Sequence, residues 1–316
     1  MQESGMLALQ QRDDMNYASQ WRLALARWVA AAYAANPSVA AVIVGGSTAR
    51  GHADRYSDIE VGVFWHQPPT DEDRTSAGLV VTQAAGWDAP HLYPYDPAEE
   101  MWEDDLFLGH ITPGQPATGV LVEVPHYTAE FVERVLIDVL EHHDPSDLKQ
   151  SLLAAITTAI PVHGESLIEA WRARAAAYPR ELAVAVVQRH AQIDHFWRTD
   201  MFLERGNNLM LLYDTLVQVS KKLLYVLLAL NRAFYSGFLW AHLQMSGLDI
   251  APADFYGRLR RVFQSEPATA ARELQALVEE VYNLVEQEMP EVDVDWLRRV
   301  FRWRRQPWDA PPEHVL

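Results

Sequence analysis

The chain has 316 residues, of which 49% are hydrophobic and none is cysteine, and its formal net charge is −17. This length predicts two domains with adequate cores, and the lack of cysteine excludes disulfides and thiolate metal sites. The acidity argues against nucleic acid as a substrate, because nucleic-acid binders carry a basic face that displaces counterions, and it favours a cationic or neutral small molecule.

The N-terminal segment and the apolar runs do not have the pattern of a secretory or membrane segment. Charged residues such as Glu3 and Arg12 surround only a short apolar stretch at the start of the chain, which is not typical of a secretory signal. The longest apolar run, from Leu223 to Leu230, is too short to cross a bilayer. We therefore expect a cytoplasmic protein with no membrane partner.

Helices and strands alternate in the first half of the chain. Apolar periodicity and turn residues predict a helix over 14–35, strands over 39–44, 58–65, 79–82 and 119–124, a loop over 67–74, an irregular segment reaching residue 105, and a helix from Thr128 to about residue 142. These strands are expected to form a small mixed sheet.

The pattern becomes helical after Asp144-Pro145. Predicted helices cover 146–160, 164–177, 179–205, 207–232, 234–246, 252–263, 267–288 and 293–304. No repeat of 20 to 50 residues occurs, so a bundle is expected rather than a solenoid. The predicted fold class is α+β, with a mixed-sheet head over residues 1–145 and an all-α helical domain over 146–316.

Two carboxylates lie one residue apart in the second predicted strand. Side chains alternate across a strand, so Asp58 and Glu60 project from one face while Ile59 and Val61 turn to the buried face. Neighbouring carboxylates repel unless a cation lies between them, and Mg²⁺ takes one or two carboxylates together with substrate phosphates. The spacing therefore predicts a magnesium site.

A small-residue turn precedes this pair of acids. Gly45 and Gly46 allow a sharp turn and a close approach to a ligand. Ser47 and the amide groups after it are placed to hold a phosphate. Arg50 is predicted to pair with phosphate oxygens, or alternatively with Asp54 in a salt bridge. Ser57 is expected to hold a metal-bound water or to cap the strand.

Together, these features resemble a known superfamily. The hydrophobic-Gly-Gly-Ser turn, the ten residues between Ser47 and Asp58, and the acid-hydrophobic-acid strand are similar to the signature of nucleotidyltransferases of the DNA polymerase β type. The chain most resembles the small-molecule and antibiotic nucleotidyltransferases, which carry a helical domain. Many members have Asp where Glu60 stands.

The resemblance implies a third carboxylate from a later strand, which completes a two-metal clamp. Glu123 has the right context, as a lone acid within the apolar segment from Gly119 to Val124. A buried, unpaired carboxylate would cost several kcal/mol, so a functional role is the simpler interpretation. The alternative is that Glu123 faces solvent on an edge strand.

The function implied by the resemblance is nucleotidyl transfer. Asp58, Glu60 and Glu123 are the expected catalytic and metal-binding residues, with Mg²⁺ as the cofactor; the expected nucleotide-binding residues are Gly45, Gly46, Ser47, Arg50 and Ser57. The NTP is expected to be ATP, and the acceptor a small hydroxylated molecule held by the helical domain. Two alternatives stay open, a protein-modifying enzyme of the toxin–antitoxin type and a degenerate head that binds nucleotide or a partner without turnover.

Candidate residues in the helical half are less specific. His190 and Asp194, four residues apart on a predicted helix, form a possible acid/base pair or a solvated helix face. Lys221 and Lys222 lie beside an apolar run and are candidates for reaching a triphosphate, although surface lysines with buried stems are the more common case.

Overall fold

The computed structural model describes residues 15–84, 86–110, 118–206, 208–305 and 307. Contacts divide the chain into two compact units: the first comprises the described residues up to His142 with Ser146–Ala177, and the second comprises His143–Pro145 and the residues from Tyr178 onward. The first unit contains a six-stranded mixed sheet, and every regular element in the described part of the second is a helix. The predicted fold class, a mixed-sheet head followed by a helical region, is confirmed.

The first unit is built around a single sheet. Its elements in chain order are α1 (Tyr17–Ala34), β1 (Val39–Val44), α2 (Gly46–Ala49), β2 (Ile59–Trp65), α3 (Asp71–Ala84), β3 (His91–Leu92), β4 (Trp102–His110), β5 (Thr118–Thr128), α4 (Ala129–Leu140), α5 (Asp147–Thr158), β6 (Ile160–His163) and α6 (Glu165–Ala175). The strand order is β3-β4-β5-β2-β1-β6. Strands β2 and β5 run parallel, and the other named pairs are antiparallel.

The two faces of the sheet differ in how they are covered. One face packs on α1 and α3 in a continuous apolar core that includes Val29, Val63 and Val124. On the other face, Phe64 packs edge-on against Trp171 of α6, with 5.1 Å between the ring centroids. Further toward the start of β2, Glu60 on this second face is only half-buried. The acidic side chains therefore lie on the face opposite the α1/α3 core.

Helix α3 begins within the loop predicted over 67–74 and covers the strand predicted over 79–82. The predicted strand is wrong. The Thr70 hydroxyl accepts a hydrogen bond from the Asp73 amide at 3.1 Å, while Asp73 Oδ2 accepts one from the Thr70 amide at 2.9 Å. This reciprocal pair is a capping box, and the acids of the first turn favour the helix N-terminus. The short apolar run therefore continues a helix that begins at Asp71.

The sheet is also larger than predicted. Strand β4 begins at Trp102, within the end of the segment that was expected to be irregular, because its nine residues find register partners along β5. Strand β6 pairs with β1 and was predicted as the end of a helix and its following turn. Through β6 and α6, residues 146–177 belong to the first compact unit. The compact units thus divide between Ala177 and Tyr178, whereas the expected domain boundary lies near residue 145.

The second unit contains seven helices in its described part: α7 (Arg180–His190), α8 (Arg198–Arg205), α9 (Leu209–Leu230), α10 (Ala241–Ser246), α11 (Phe255–Gln264), α12 (Pro267–Glu288) and α13 (Val294–Arg302). The bounds of α12 are those predicted, and α10 begins later than expected. Among the described residues, none of the helices combines the length and apolar character that crossing a bilayer requires.

The single helix predicted over 179–205 is wrong, because α7 and α8 are separated by an irregular segment. Two side chains from other helices bind carbonyls that a continuous helix would use internally. Tyr282 donates its hydroxyl to the Ala191 carbonyl at 2.8 Å, and Lys222 donates to the Gln192 carbonyl at 2.6 Å. Tertiary contacts thus replace the helical hydrogen bonds at this position.

Candidate functional site

The turn between β1 and α2 brings its glycines against a carboxylate. Gly46 has φ +59°, a left-handed conformation that favours glycine. A Cβ atom at Gly46 would overlap the Glu60 carboxylate, and one at Gly45 would lie 3.3 Å from Glu60 Oε2. The Gly45 amide also donates to the Glu60 carbonyl at 2.9 Å. Both glycines are needed for Glu60 to lie under the turn.

Ser47 and Arg50 follow this turn on the short helix α2. Ser47 is buried, with 7% of its surface exposed. Arg50 is the C-terminal cap of α2 and is half-buried. The positive charge of Arg50 lies close enough to Glu60 to oppose the rise in the pKa of that carboxyl. Within the described residues, Arg50 forms no ion pair with Asp54, so the alternative role considered for it is not seen.

Hydrogen bonds with Arg22 and Asp54 stabilise the loop before β2. The buried Arg22 donates from Nε to the Ser57 carbonyl at 3.0 Å. The Ser57 hydroxyl accepts from the Asp54 amide at 2.9 Å and donates to Asp54 Oδ1 at 3.2 Å. Ser57 therefore stabilises the loop. Asp58 follows Ser57 and is half-buried. It lies one residue before β2, although it was predicted to be the first residue of that strand.

Carboxylates from three neighbouring strands lie in a row on one face of the sheet. Glu60 of β2 is the register partner of Glu123 of β5, and Glu123 is the register partner of Asp105 of β4. Register partners on adjacent strands project from the same face about 5 Å apart. Glu123 therefore lies between two other acids on an interior strand, which excludes the edge-strand alternative.

Burial and the neighbouring acids raise the pKa values of the two glutamates of this row. Burial, followed by the charges of Asp58, Glu103, Glu60 and Asp105, raises the pKa of Glu123 to about 7. Burial and the charge of Asp58 also raise the pKa of Glu60, while Arg50 opposes that effect. Asp58 thus interacts electrostatically with both glutamates. A group of carboxylates with such pKa values favours the binding of a cation.

The donor set suits Mg²⁺ in its chemistry, since Asp58, Glu60 and Glu123 supply oxygen ligands from adjoining backbone positions. Among the residues that the structure describes, however, no three Asp, Glu or His side chains are arranged to ligate one metal ion directly. Direct ligation by all three would therefore require side-chain rotation on backbone positions that the sheet already brings together.

Strand β4 contributes residues that sequence reasoning missed. Asp105 accepts a hydrogen bond from the Tyr93 hydroxyl at 3.0 Å, and Glu103 lies two residues away on the same face. Burial and the neighbouring acids Asp105, Glu99 and Asp104 raise the pKa of Glu103. Because residues 103–105 are all acidic and residues 106–108 are all apolar, the sequence shows no period-2 alternation that could have identified this strand.

A cavity of about 480 Å³ adjoins these acids within the first unit. Its lining is aromatic and acidic and is made by Tyr93, Pro94, Tyr95, Asp96, Pro97, Glu99, Met101 and Glu103. Glu103 belongs both to this cavity and to the acidic face of the sheet. The cavity is therefore suited to a small molecule that carries positive charge.

A buried polar network supports β4 from the opposite face. Asp104 forms an ion pair with Arg74 of α3 and accepts a hydrogen bond from His126 Nε2 at 2.8 Å. The His126 Nδ1 atom accepts from the Trp65 indole at 3.1 Å, and burial lowers the pKa of His126. His126 is thus a neutral core residue, and Asp104 anchors the strand segment between Glu103 and Asp105.

The candidate pair in the helical half is not formed. His190 ends α7 and is buried, with its ring stacked on Tyr225 at 4.1 Å between centroids. Asp194 lies in the irregular segment after that helix, is exposed, and accepts from the Gln192 side chain. Because the helix does not continue past His190, the four-residue spacing does not bring the two side chains to one face.

No sequence profile of a known protein family matches the chain, and no curated protein matches it in sequence. In structure, the chain is similar to a nucleotidyltransferase-like protein from Exiguobacterium sibiricum 255-15, with 12% sequence identity and a TM-score of 0.37 over 84% of this chain and 79% of that one. The α+β fold class depends on the strands and helices themselves.

Proposed function

We propose that this chain is a nucleotidyltransferase that transfers a nucleoside monophosphate from an NTP to a hydroxyl of a small acceptor and releases pyrophosphate. The observation that carries the proposal is the position of Glu60, which lies under the Gly45-Gly46 turn and beside Glu123 in the strand register. A glycine turn and a row of carboxylates are then adjacent on one face, as nucleotide and metal chemistry requires.

The residues divide into two groups by their proposed roles. Asp58, Glu60 and Glu123 would hold Mg²⁺, which when bound supplies charge neutralisation for the carboxylates and for the reacting phosphate. The lack of side chains at Gly45 and Gly46 lets the Glu60 carboxylate lie against the turn, so a metal ion on Glu60 and a triphosphate at the turn would be held side by side. Ser47 and Arg50 would bind the triphosphate oxygens, and the charge of Arg50 already acts on Glu60 at the base of the turn. Ser57 would act indirectly, by shaping the loop before Asp58.

The acceptor is proposed to be a cationic, hydroxyl-bearing small molecule. The cavity beside Glu103 supports this class, since carboxylates and tyrosine faces both attract cations. The net charge of −17 favours the same class by long-range attraction. Among nucleotides, ATP is the first to be tested.

The test is Mg²⁺-dependent pyrophosphate release from ATP and from GTP in the presence of hydroxylated amines. We expect Asp58→Asn and Glu123→Gln each to lower the rate by more than roughly a hundredfold, the scale for losing a group that stabilises transition-state charge. Glu72→Gln is the matched control, because this substitution removes the same charge from an exposed position on α3. Equal activity in all three variants would contradict the proposal.

A second candidate, nucleotide binding without turnover, is favoured by one observation. The described carboxylates do not form a preassembled set of three metal ligands. Calorimetry of Mg²⁺ and ATP separates the two functions: binding that requires Asp58 together with absence of pyrophosphate release across the acceptor panel would favour the binding protein. Release of pyrophosphate would favour the enzyme.

A further inference from the structure

The second unit contains a cavity of about 490 Å³ whose lining includes none of the acids of the first unit. Helices α9 and α11 form its walls, and Phe238 and Met245 complete it from the segment between them. Its surface is predominantly apolar, and the volume lies in the range of small-molecule sites. Tyr256 and Phe263, both lining the cavity, are 38% and 43% exposed, so apolar surface is left uncovered at its mouth.

Two cations line this apolar cavity. Lys221 is half-buried on α9, with its Nζ atom 4.8 Å from the centroid of the Phe238 ring. Arg260 is exposed on α11. Within the described part of the chain, neither residue forms an ion pair with a carboxylate, whereas Arg258 and Arg261 of the same helix are both paired with acids. The cavity therefore combines apolar walls with two positive charges that the fold does not neutralise.

The charge of the whole chain makes this arrangement selective. A protein with a net charge of −17 repels anions in general, and several of its described arginines, such as Arg258, Arg298 and Arg302, are paired with acids. Lys221 and Arg260 give the cavity a local charge of the opposite sign. Apolar walls with a cationic group match a molecule that has an apolar body and an anionic end.

We infer that this cavity binds an amphipathic carboxylate, with the alkyl chain between α9 and α11 and the carboxylate facing Lys221 and Arg260. Met245 adds a flexible wall that can adapt to the chain. The Ser220 hydroxyl is already bonded to the Leu216 carbonyl at 2.7 Å. Lys221 and Arg260 are the charged groups of the lining and would orient the carboxylate, with Tyr256 and Gln264 as neutral polar neighbours. This site is independent of the proposed transfer chemistry.

The test is calorimetric titration of the full chain with decanoate and, separately, with decylammonium, which has a chain of the same length and the opposite charge. We expect decanoate to bind and decylammonium not to bind. Lys221→Met and Arg260→Met should each weaken decanoate binding roughly three- to tenfold, the range for a partly exposed charge-assisted contact. Arg272→Met is the matched control, because Arg272 is exposed on α12 outside the cavity.

A filling variant tests the apolar part of the site. Val217→Phe adds volume from α9 into the cavity and should reduce decanoate binding without changing the thermal unfolding midpoint by more than a few degrees. Equal binding of the two ligands, or decanoate binding that survives both Lys221→Met and Val217→Phe, would overturn the inference. Circular dichroism of each variant shows that it is folded, so loss of binding is attributable to the site.

Discussion

The fold changes the acid–base behaviour of Glu123. Four other carboxylates act on it, and together with burial they raise its pKa from 4.5 to about 7. The native state thus keeps a proton that the unfolded state releases between these two values. Stability contributed by this group is present at low pH and is lost as the pH rises from about 4.5 toward 7.

Glu123→Gln should therefore stabilise the protein at pH 8 relative to the wild type and have a smaller effect near pH 5. The reason is that glutamine removes the charge that the neighbouring acids repel. The difference in stability between the two proteins is measured at both pH values from thermal unfolding curves, recorded by circular dichroism. Millimolar Mg²⁺ at pH 8 should raise the unfolding temperature of the wild type more than that of Glu123→Gln. Equal shifts in the two proteins would show that Glu123 does not hold the cation.

Gly46 combines a left-handed backbone with close contact to a carboxylate. Gly46→Ala should lower the free energy of unfolding by about 1–3 kcal/mol more than Gly86→Ala. Gly86 has φ +70° but has open space where a Cβ would lie, so it isolates the conformational cost. Chemical denaturation of both variants measures the difference. In the double variant Gly46→Ala/Glu60→Ala, the extra loss of unfolding free energy should disappear, because the carboxylate that a Cβ would meet is gone. If the extra loss remains, contact with Glu60 is not its cause.

At the scale of elements, β4 depends on the buried ion pair between Asp104 and Arg74. Asp104→Asn should lower the free energy of unfolding by about 3 kcal/mol, because it leaves the Arg74 charge buried without that partner. Asp71→Asn removes the exposed carboxylate that contacts the same guanidinium at 2.8 Å and should cost less than about 1 kcal/mol. Denaturant titration measures the free energy of unfolding of both variants. A similar decrease in both would show that the buried ion pair is no more stabilising than the exposed one.

At the scale of the whole molecule, the segment 146–177 is expected to be part of the sheet unit. It supplies β6 as the partner of β1, and it supplies Trp171, which covers Phe64. A fragment ending at residue 177 should unfold cooperatively, whereas one ending at 145 should aggregate, because the edge of β1 and Phe64 become exposed. Thermal melts and gel filtration of the two fragments test this. Cooperative folding of the shorter fragment would instead support a domain boundary near 145.

Several elements could be predicted because local signals agree with their final environment. Strand β1 and helix α12 have the predicted bounds, the first marked by an apolar run before glycines and the second by apolar periodicity from Pro267 onward. The α+β class follows from the same patterns. At the site, the spacing of Asp58 and Glu60 and the isolation of Glu123 identified residues that the structure brings to one region.

Other features required the tertiary structure, because they depend on partners distant in sequence. Strand β4 looked irregular alone and forms along β5, while the break before α8 depends on Tyr282 and Lys222 from other helices. Asp105 became a neighbour of Glu123 only through strand register. The sequence by itself thus determined which acids and glycines are present, their local spacing and the fold class. The tertiary structure decided which of those groups share one face, because pairing between strands is a non-local choice.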